Sequence, residues 1–420
     1  MINKVDVYSD KKNHKDQVDY IVVFLILLFL AGAGMFGFYS TLMFLIVGGI
    51  YTGLNFKYAL ATYKNNWFMF LFGLISVFSV FWAEAPLAAL RNGVQFLLTI
   101  GIFLTVIYCV KLNILFKAIS AAMLAVMVLN VTSSQTVEIS YTGEVVKVGY
   151  FGSKNSMAMV AGFALLSSIG AVLCSKASLL SRFLAVTCIV ISLATFLQAR
   201  SLGSTISLGF VLAISGLLFF YSRANLLTET KVNINFLVFI FIFIFIFVFI
   251  VFFDYSVYES FMYSLGKDPT ITGRTDIWGI GFESIKENPI LGVGQSSYWN
   301  INNIGALEIW ELMHKEEGSP FGFHNLYIHT YVELGLLGFL TVLLFFIKGF
   351  LGINKCSLKG MRYIDIVLVS LFLIIFSKTF FETVGFSPFS LSTFFLCFSV
   401  VHIRRFSFYD KPAYIKLRLN

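Results

Sequence analysis

The sequence predicts an all-α, polytopic integral membrane protein with about 12 transmembrane helices and one large external loop. Of its 420 residues, 58% are hydrophobic and only 12% are charged, whereas soluble domains are roughly a quarter charged. Apolar runs of about 20 residues, the length that crosses a bilayer, recur along the chain. The basic residues are also unevenly distributed between alternate connections. These three observations favour a membrane protein over a soluble enzyme.

Each predicted span is an apolar run bounded by polar or turn-forming residues. The predicted spans are 20–37, 39–54, 67–83, 94–110, 113–131, 155–174, 183–199, 202–221, 234–253, 325–347, 364–381 and 387–403.

The distribution of charge predicts the orientation. Lys and Arg favour the cytoplasmic side of a membrane, and a cytoplasmic N-terminus leaves only nine of the 30 basic residues outside. Both termini are then cytoplasmic, and the loop 254–324 faces outward. We therefore interpret the net charge of +8 as a topology signal and expect no nucleic-acid partner.

Three regions follow from this pattern. Residues 1–253 form an N-terminal bundle of about nine spans, 254–324 a periplasmic loop with short helices, and 325–420 the C-terminal spans and a cytoplasmic tail. In the loop, Trp278, Phe282 and Ile285 have the spacing of one helix face. Pro289 is expected to end that helix, with Gly292 and Gly294 in a turn. Thr275 or Asp276 is expected to cap its start.

No metal or cofactor site is predicted. The five cysteines, Cys109, Cys174, Cys188, Cys356 and Cys397, have no metal-ligand spacing. The sequence also has no Walker-A motif, no His-Glu-x-x-His and no Gly-x-Ser-x-Gly.

Two external arginines are candidates for binding an anionic substrate. Arg200 ends a span beside Ser201 and Ser204, at a depth where a guanidinium can bind a lipid phosphate. The alternative is an arginine that extends to the membrane surface. Arg274 follows Gly273, which permits close approach of a ligand, and precedes a helix N-terminus that favours anions. The alternative is an ion pair between Arg274 and a loop acid such as Asp276.

His324 is the candidate base, because it begins the span after the loop and histidine accepts protons near neutral pH. The alternative is an ordinary interfacial histidine. Lys154, at the start of span 155–174, is a candidate phosphate-binding cation or a lysine that extends to the surface. Asn325, Asp276 and His329 are further candidate substrate-binding residues. Lys378 and Glu382 have the spacing of an i,i+4 salt bridge.

These residues lie in motifs that resemble the O-antigen ligase and O-antigen polymerase superfamily. His324, Asn325, Gly335 and Gly338 match its His-Asn, nine residues, Gly, two residues, Gly signature. The stretches 273–278 and 288–294 look like its other boxes, and 198–201 resembles its mid-chain arginine. Residues 151–155 are similar to a segment of the exopolysaccharide-polymerase branch.

The resemblance implies a metal-independent, inverting glycosyltransferase without a cofactor. Its donor would be an oligosaccharide on undecaprenyl diphosphate, bound by Arg200 and Arg274, and His324 would activate the acceptor hydroxyl. The acceptor would be another lipid-linked glycan in a polymerase, the favoured alternative, or lipid A–core in a ligase. The enzyme would work at the periplasmic face of a bacterial inner membrane, among membrane lipids and other polysaccharide-assembly proteins. A transporter of lipid-linked glycan is the alternative from a different class.

Overall fold

A computed structural model describes residues 4–138, 145–174, 178–223, 274–319 and 321–408. The described residues are mostly α-helical. The helices are α1 (Lys4–Ala31), α2 (Ala33–Phe36), α3 (Phe38–Leu54), α4 (Phe56–Asn65), α5 (Leu71–Phe78), α6 (Pro86–Cys109), α7 (Leu112–Thr132), α8 (Lys154–Leu173), α9 (Leu179–Gln198), α10 (Leu202–Arg223), α11 (Arg274–Glu287), α12 (Ile304–Leu312), α13 (Leu326–Lys359), α14 (Tyr363–Lys378) and α15 (Leu391–Phe408). The only described strands, β1 (Thr136–Glu138) and β2 (Val145–Lys147), pair antiparallel.

The helices confirm an all-α membrane protein, but they do not support the predicted number of spans. By length and composition, six described helices could cross a membrane, or up to seven if the bent pair α3 and α4 counts as one span. The predicted span 67–83 is not one continuous helix: the short helix α5 lies between two 3-10 turns. Predicted span 20–37 is interrupted after Ala31, and α14 has only 16 residues. Predicted span 234–253 lies outside the described residues.

The centre of the helical bundle is filled with aromatic side chains. Helix α15 packs against α6, α13 and α14, and its buried phenylalanines meet rings of α6, α7 and α8. The ring pairs Phe103–Phe394, Phe116–Phe398 and Phe163–Phe395 have centroids 4.7–5.3 Å apart. Such tilted and edge-on pairs favour one packing arrangement beyond simple burial.

Polar contacts occur at both ends of this bundle. At one end, Lys111 pairs with Asp16 at 2.6 Å, and Arg404 donates to the Asn66 side chain at 3.0 Å. Lys111 precedes α7, whose 21 residues span about 30 Å. The loop after α7, including the hairpin β1–β2, therefore lies at the opposite end. That loop leads into α8, so the start of α8 is also at this opposite end.

The described part of the predicted loop folds around a small apolar core of its own. Residues Ile277, Trp278, Tyr298, Trp310 and Phe323 are buried there, and the Trp278 indole donates to the Phe323 carbonyl oxygen at 2.6 Å. The described residues of the loop include two short helices, α11 and α12.

The predicted face of α11 was partly wrong. Phe282 is exposed, and Gly281 takes its place on the buried face with Ile277 and Trp278. A Cβ at Gly281 would lie 2.8 Å from the Phe323 ring, so this glycine allows the loop to pack closely on α13. Thr275 and Asp276 lie inside the first turn of α11 rather than at its cap.

Helix α13 is broken at Gly335, and the loop fills the break. Gly335 has φ 61° and ψ −159°, a conformation that is essentially restricted to glycine. The break leaves backbone N–H and carbonyl groups of α13 without partners in the helix, and the 289–294 segment forms hydrogen bonds with them. These bonds, 2.8–3.0 Å long, are Val293 N to Val332 O, Gly294 N to Glu333 O, and Leu336 N to Pro289 O. These hydrogen bonds attach the 289–294 segment to the part of α13 that follows His324.

Candidate active site

The Glu382 carboxylate, in the connection between α14 and α15, is the centre of the candidate site. Its Oε1 accepts hydrogen bonds from Arg274 at 3.2 Å and from the Asn155 side chain at 2.7 Å. Its Oε2 lies 3.1 Å from His324 Nδ1. Arg274 and Glu382 are largely buried, whereas the His324 side chain is 35% exposed. Two of the three predicted catalytic residues are therefore joined by one acid.

The surrounding charges keep this carboxyl ionised. Burial by itself would raise the pKa of Glu382. The hydrogen bond and charge of His324, followed by the charges of Arg274 and Lys378, outweigh that effect and lower the pKa below its usual value. A carboxylate is therefore held among cationic groups.

Helix N-termini converge on this acid. Asn155 is in the first turn of α8, Arg274 is the first residue of α11, and His324 directly precedes Asn325, the N-cap of α13. Ser201, directly before α10, donates to the Asn155 side chain at 2.8 Å. Each helix N-terminus carries a partial positive charge and unpaired N–H groups. Together with Arg274, these termini make the site suited to a doubly charged anion such as diphosphate.

Arg200 and His324 both have a strained backbone. Arg200 has φ 46° and His324 has φ 51°, two of five non-glycine residues with positive φ in the described part of the chain. This conformation is uncommon for side chains other than Asn, Asp and Gly. Such residues are often found at functional sites, where surrounding contacts hold them in place.

Four other predicted site residues differ in their position and exposure. Arg200 and Lys154 lie next to Ser201 and Asn155 in the chain, at the edge of the same cluster, and Arg200 is exposed. Asn325 is buried and caps α13, because its side-chain oxygen accepts from the N–H groups of Tyr327 and Ile328. Asp276 is exposed. A substrate contact at any of these residues remains a prediction.

His329 faces a second polar cluster. Its Nε2 is 3.7 Å from the buried Glu333 carboxylate, which also accepts from the Gln295 side chain at 2.6 Å. Ser76 donates to Gln295 at 3.0 Å. These bonds join α5, the 289–297 segment and α13, so this cluster supports the structure beneath His324.

The contacts of Glu382 were not predicted from the sequence. Lys378 and Glu382 have the spacing of an i,i+4 pair, but the Lys378 ammonium donates to Ser204 and Glu382 bonds to Arg274 and His324. One signal was available: Glu382 is the only acidic residue between Asp365 and Asp410. Within the described residues, no three His, Cys, Asp or Glu side chains are grouped as metal ligands would be.

Comparison with known proteins shows which family the chain resembles. A family profile described as O-antigen ligase matches residues 187–343, the stretch that contains Arg200, Arg274 and His324. The chain is also 26% identical over 347 residues to the exopolysaccharide production protein ExoQ of Rhizobium meliloti (strain 1021), covering 82% of this chain and 79% of that protein. Both findings support the O-antigen ligase and polymerase-like family and a function of that type in polysaccharide biosynthesis.

Proposed function

We propose that this protein is an inner-membrane polysaccharide polymerase. It would transfer a glycan from undecaprenyl diphosphate to the next lipid-linked repeat unit, without a metal. The observation that carries the proposal is the Glu382 carboxylate, held by Arg274 and His324 among helix N-termini. A cluster of this kind can bind a diphosphate and, beside it, hold a base for a sugar hydroxyl.

Each group has a role in the proposed reaction. Arg274 and Arg200 stabilise the negative charge that develops on the diphosphate as the bond from the anomeric carbon to oxygen breaks. Because His324 Nδ1 is bonded to Glu382, Nε2 is the ring nitrogen left to accept the proton. The acceptor oxygen bonds the anomeric carbon, its proton passes to His324, and undecaprenyl diphosphate leaves as the anion.

The charge of Glu382 serves this reaction directly. A protonated imidazole would form while the acceptor hydroxyl attacks. The carboxylate 3.1 Å away stabilises that cation and holds the ring in one orientation. Lys154 and His329 are proposed as further donor- or acceptor-binding groups around this centre, with Asn325 and Asp276.

We further propose that the site is periplasmic and that both termini are cytoplasmic. Lys111 and Arg404 lie at the end of the bundle opposite to the start of α8. These basic residues support a cytoplasmic location for their own end of the bundle. The full set of about 12 spans belongs to this proposed topology.

Transfer to lipid A–core is the alternative within the same family, supported by the description of the matching profile as O-antigen ligase. The printed name of ExoQ, which refers to exopolysaccharide production, favours the polymerase. A transporter of lipid-linked glycan is the remaining alternative.

A deletion strain complemented with variants separates these functions. His324→Asn is the preferred test variant, because asparagine tolerates the positive φ of 51° better than alanine does, and His324→Ala accompanies it. His314→Asn is the matched control, since His314 also has φ 51° and lies on the exposed surface.

Lipopolysaccharide, capsule and undecaprenyl-linked intermediates would be profiled in each strain. For a polymerase, both His324 variants should leave single repeat units, and His314→Asn should restore long chains. Long chains stranded on the carrier would indicate the ligase instead. Normal glycan in both His324 variants would refute the catalytic assignment and favour the transporter.

A further inference from the structure

A row of buried hydrogen bonds leads from Lys378 to the Glu382 carboxylate. The Lys378 ammonium donates to Ser204 Oγ, and Ser204 and Ser201 hydroxyls are 2.8 Å apart. Ser201 Oγ donates to Asn155 Oδ1 at 2.8 Å, and Asn155 Nδ2 donates to Glu382 at 2.7 Å. Lys378, Ser201 and Ser204 are at most 3% exposed. We call these five residues the buried polar row.

The direction of donation in the buried polar row is determined by its two ends. An ammonium group can only donate and a carboxylate can only accept. Ser204 must therefore accept from Lys378, which leaves its hydroxyl proton for Ser201. Every bond then donates from the cation toward the anion, and bonds arranged in this way strengthen one another.

The buried polar row joins three separate elements beneath the candidate site. Asn155 belongs to the first turn of α8, Ser201 precedes α10, and Lys378 ends α14. Removal of the Ser204 hydroxyl would therefore break the bond from Lys378 of α14 and the bond to Ser201, and it would leave Ser201 joined to Asn155 alone.

Two candidate phosphate-binding cations are adjacent to the members of this row. Lys154 precedes Asn155 and Arg200 precedes Ser201, and consecutive Cα atoms are about 3.8 Å apart. Arg200 is also held at φ 46°, which requires support from its surroundings. The position of Ser201 thus limits where the Arg200 guanidinium can reach.

We propose that Lys378 and Ser204 are positioning residues for the lipid-linked donor. Acting through Ser201 and Asn155, they hold Arg200 and Lys154 where these cations bind the diphosphate. Buried as they are, Lys378 and Ser204 do not contact the substrate themselves. This inference rests on the proposed glycosyltransferase function and extends it to residues that no comparison assigns.

A closely matched control exists on the same pair of helices. Ser215 of α10 bonds Ser370 of α14 through their hydroxyls at 2.7 Å, and both residues are buried. Ser204→Ala and Ser215→Ala each remove one buried hydroxyl that joins α10 to α14. Only Ser204 belongs to the buried polar row.

The experiment uses full-length protein in nanodiscs. The probe is undecaprenyl-diphosphate-linked repeat unit extracted from the deletion strain, and kcat, donor KM and melting temperature are measured for each variant. Ser204→Ala should raise donor KM about tenfold, equivalent to ~1.4 kcal/mol, and Ser215→Ala should change it less than about twofold. Lys378→Met, which keeps an unbranched side chain only one atom shorter, should act in the same direction as Ser204→Ala.

A mutant cycle with Arg200→Gln and Lys154→Gln tests the route of the effect. If Ser204 acts through these two cations, Ser204→Ala should change donor KM less than about twofold when both are already Gln. Additive losses in KM would overturn the proposal. So would equal effects of Ser204→Ala and Ser215→Ala, because that result indicates a general role in helix packing.

The two hypotheses fail in distinguishable ways. If His324→Asn abolishes transfer while Ser204→Ala retains the wild-type donor KM, the positioning role is refuted and the glycosyltransferase remains. If His324→Asn retains full transfer, the proposed function fails first.

Discussion

The Glu382→Gln substitution is the most direct test of the charge arrangement at the candidate site. Glutamine has nearly the same shape as glutamate, and its carbonyl oxygen can still accept from Arg274 or His324. The change therefore removes the negative charge but keeps much of the packing. Glutamine cannot stabilise the imidazolium that the proposed mechanism forms on His324.

The structure allows the size of this effect to be estimated. At the observed 3.1 Å, two unit charges attract by about 5 kcal/mol at an effective dielectric constant of about 20. Because His324 is 35% exposed, screening by solvent reduces this figure to about half, or ~3 kcal/mol. At ~1.4 kcal/mol for each tenfold change, kcat should fall about 100-fold.

The assay is polymer formation from undecaprenyl-linked repeat units by purified protein in nanodiscs. Glu283→Gln is the control, because Glu283 pairs with Lys286 at 2.6 Å on the exposed surface of α11, and exposed pairs contribute little. The reasoning is wrong if a folded Glu382→Gln protein retains kcat within about threefold of the Glu283→Gln control.

Two further predictions concern folding. Gly335→Ala should reduce the melting temperature and the yield, because its Cβ would lie 2.2 Å from the Ile290 carbonyl oxygen at a φ of 61° and such strain costs about 1–3 kcal/mol. The control is Gly216→Ala in α10, where the new Cβ meets nothing within 4 Å, and its melting temperature should match or exceed that of wild type. Equal melting temperatures for the two variants would contradict this explanation. The depressed pKa of Glu382 means that its stabilising contribution is complete above its unfolded pKa of about 4.3 and is lost as the pH falls through the lower folded value. Tryptophan fluorescence melts at pH 6 and pH 3.5 should therefore show a larger drop for wild type than for Glu382→Gln, and identical drops would argue against this titration.

The loop illustrates how local and long-range information differ. The helix after Arg274, its end before Pro289 and the turn at Gly292 and Gly294 followed from residue types alone. The buried face of α11 did not, because Gly281 becomes buried only when Phe323 packs against it. Hydrophobic spacing favoured Phe282, which the fold leaves exposed.

The number of spans shows a similar limit. Hydropathy located most apolar segments within a few residues, but it does not distinguish one continuous helix from a broken one. The segment 67–83 is apolar throughout and is nevertheless interrupted by 3-10 turns, where the side chains of Ser76 and Ser79 bond to the Gln295 side chain and backbone.

The sequence by itself predicted the membrane-helical class and singled out Arg200, Arg274 and His324 as candidate site residues. Both conclusions depend on local physics, since charged groups are costly in apolar runs and therefore conspicuous there. Only the tertiary structure decided which groups share a site. Glu382 reaches its three partners across 58, 108 and 227 positions of sequence, and only the packing of α8, α11, α13 and α14 brings such distant residues into hydrogen-bond contact.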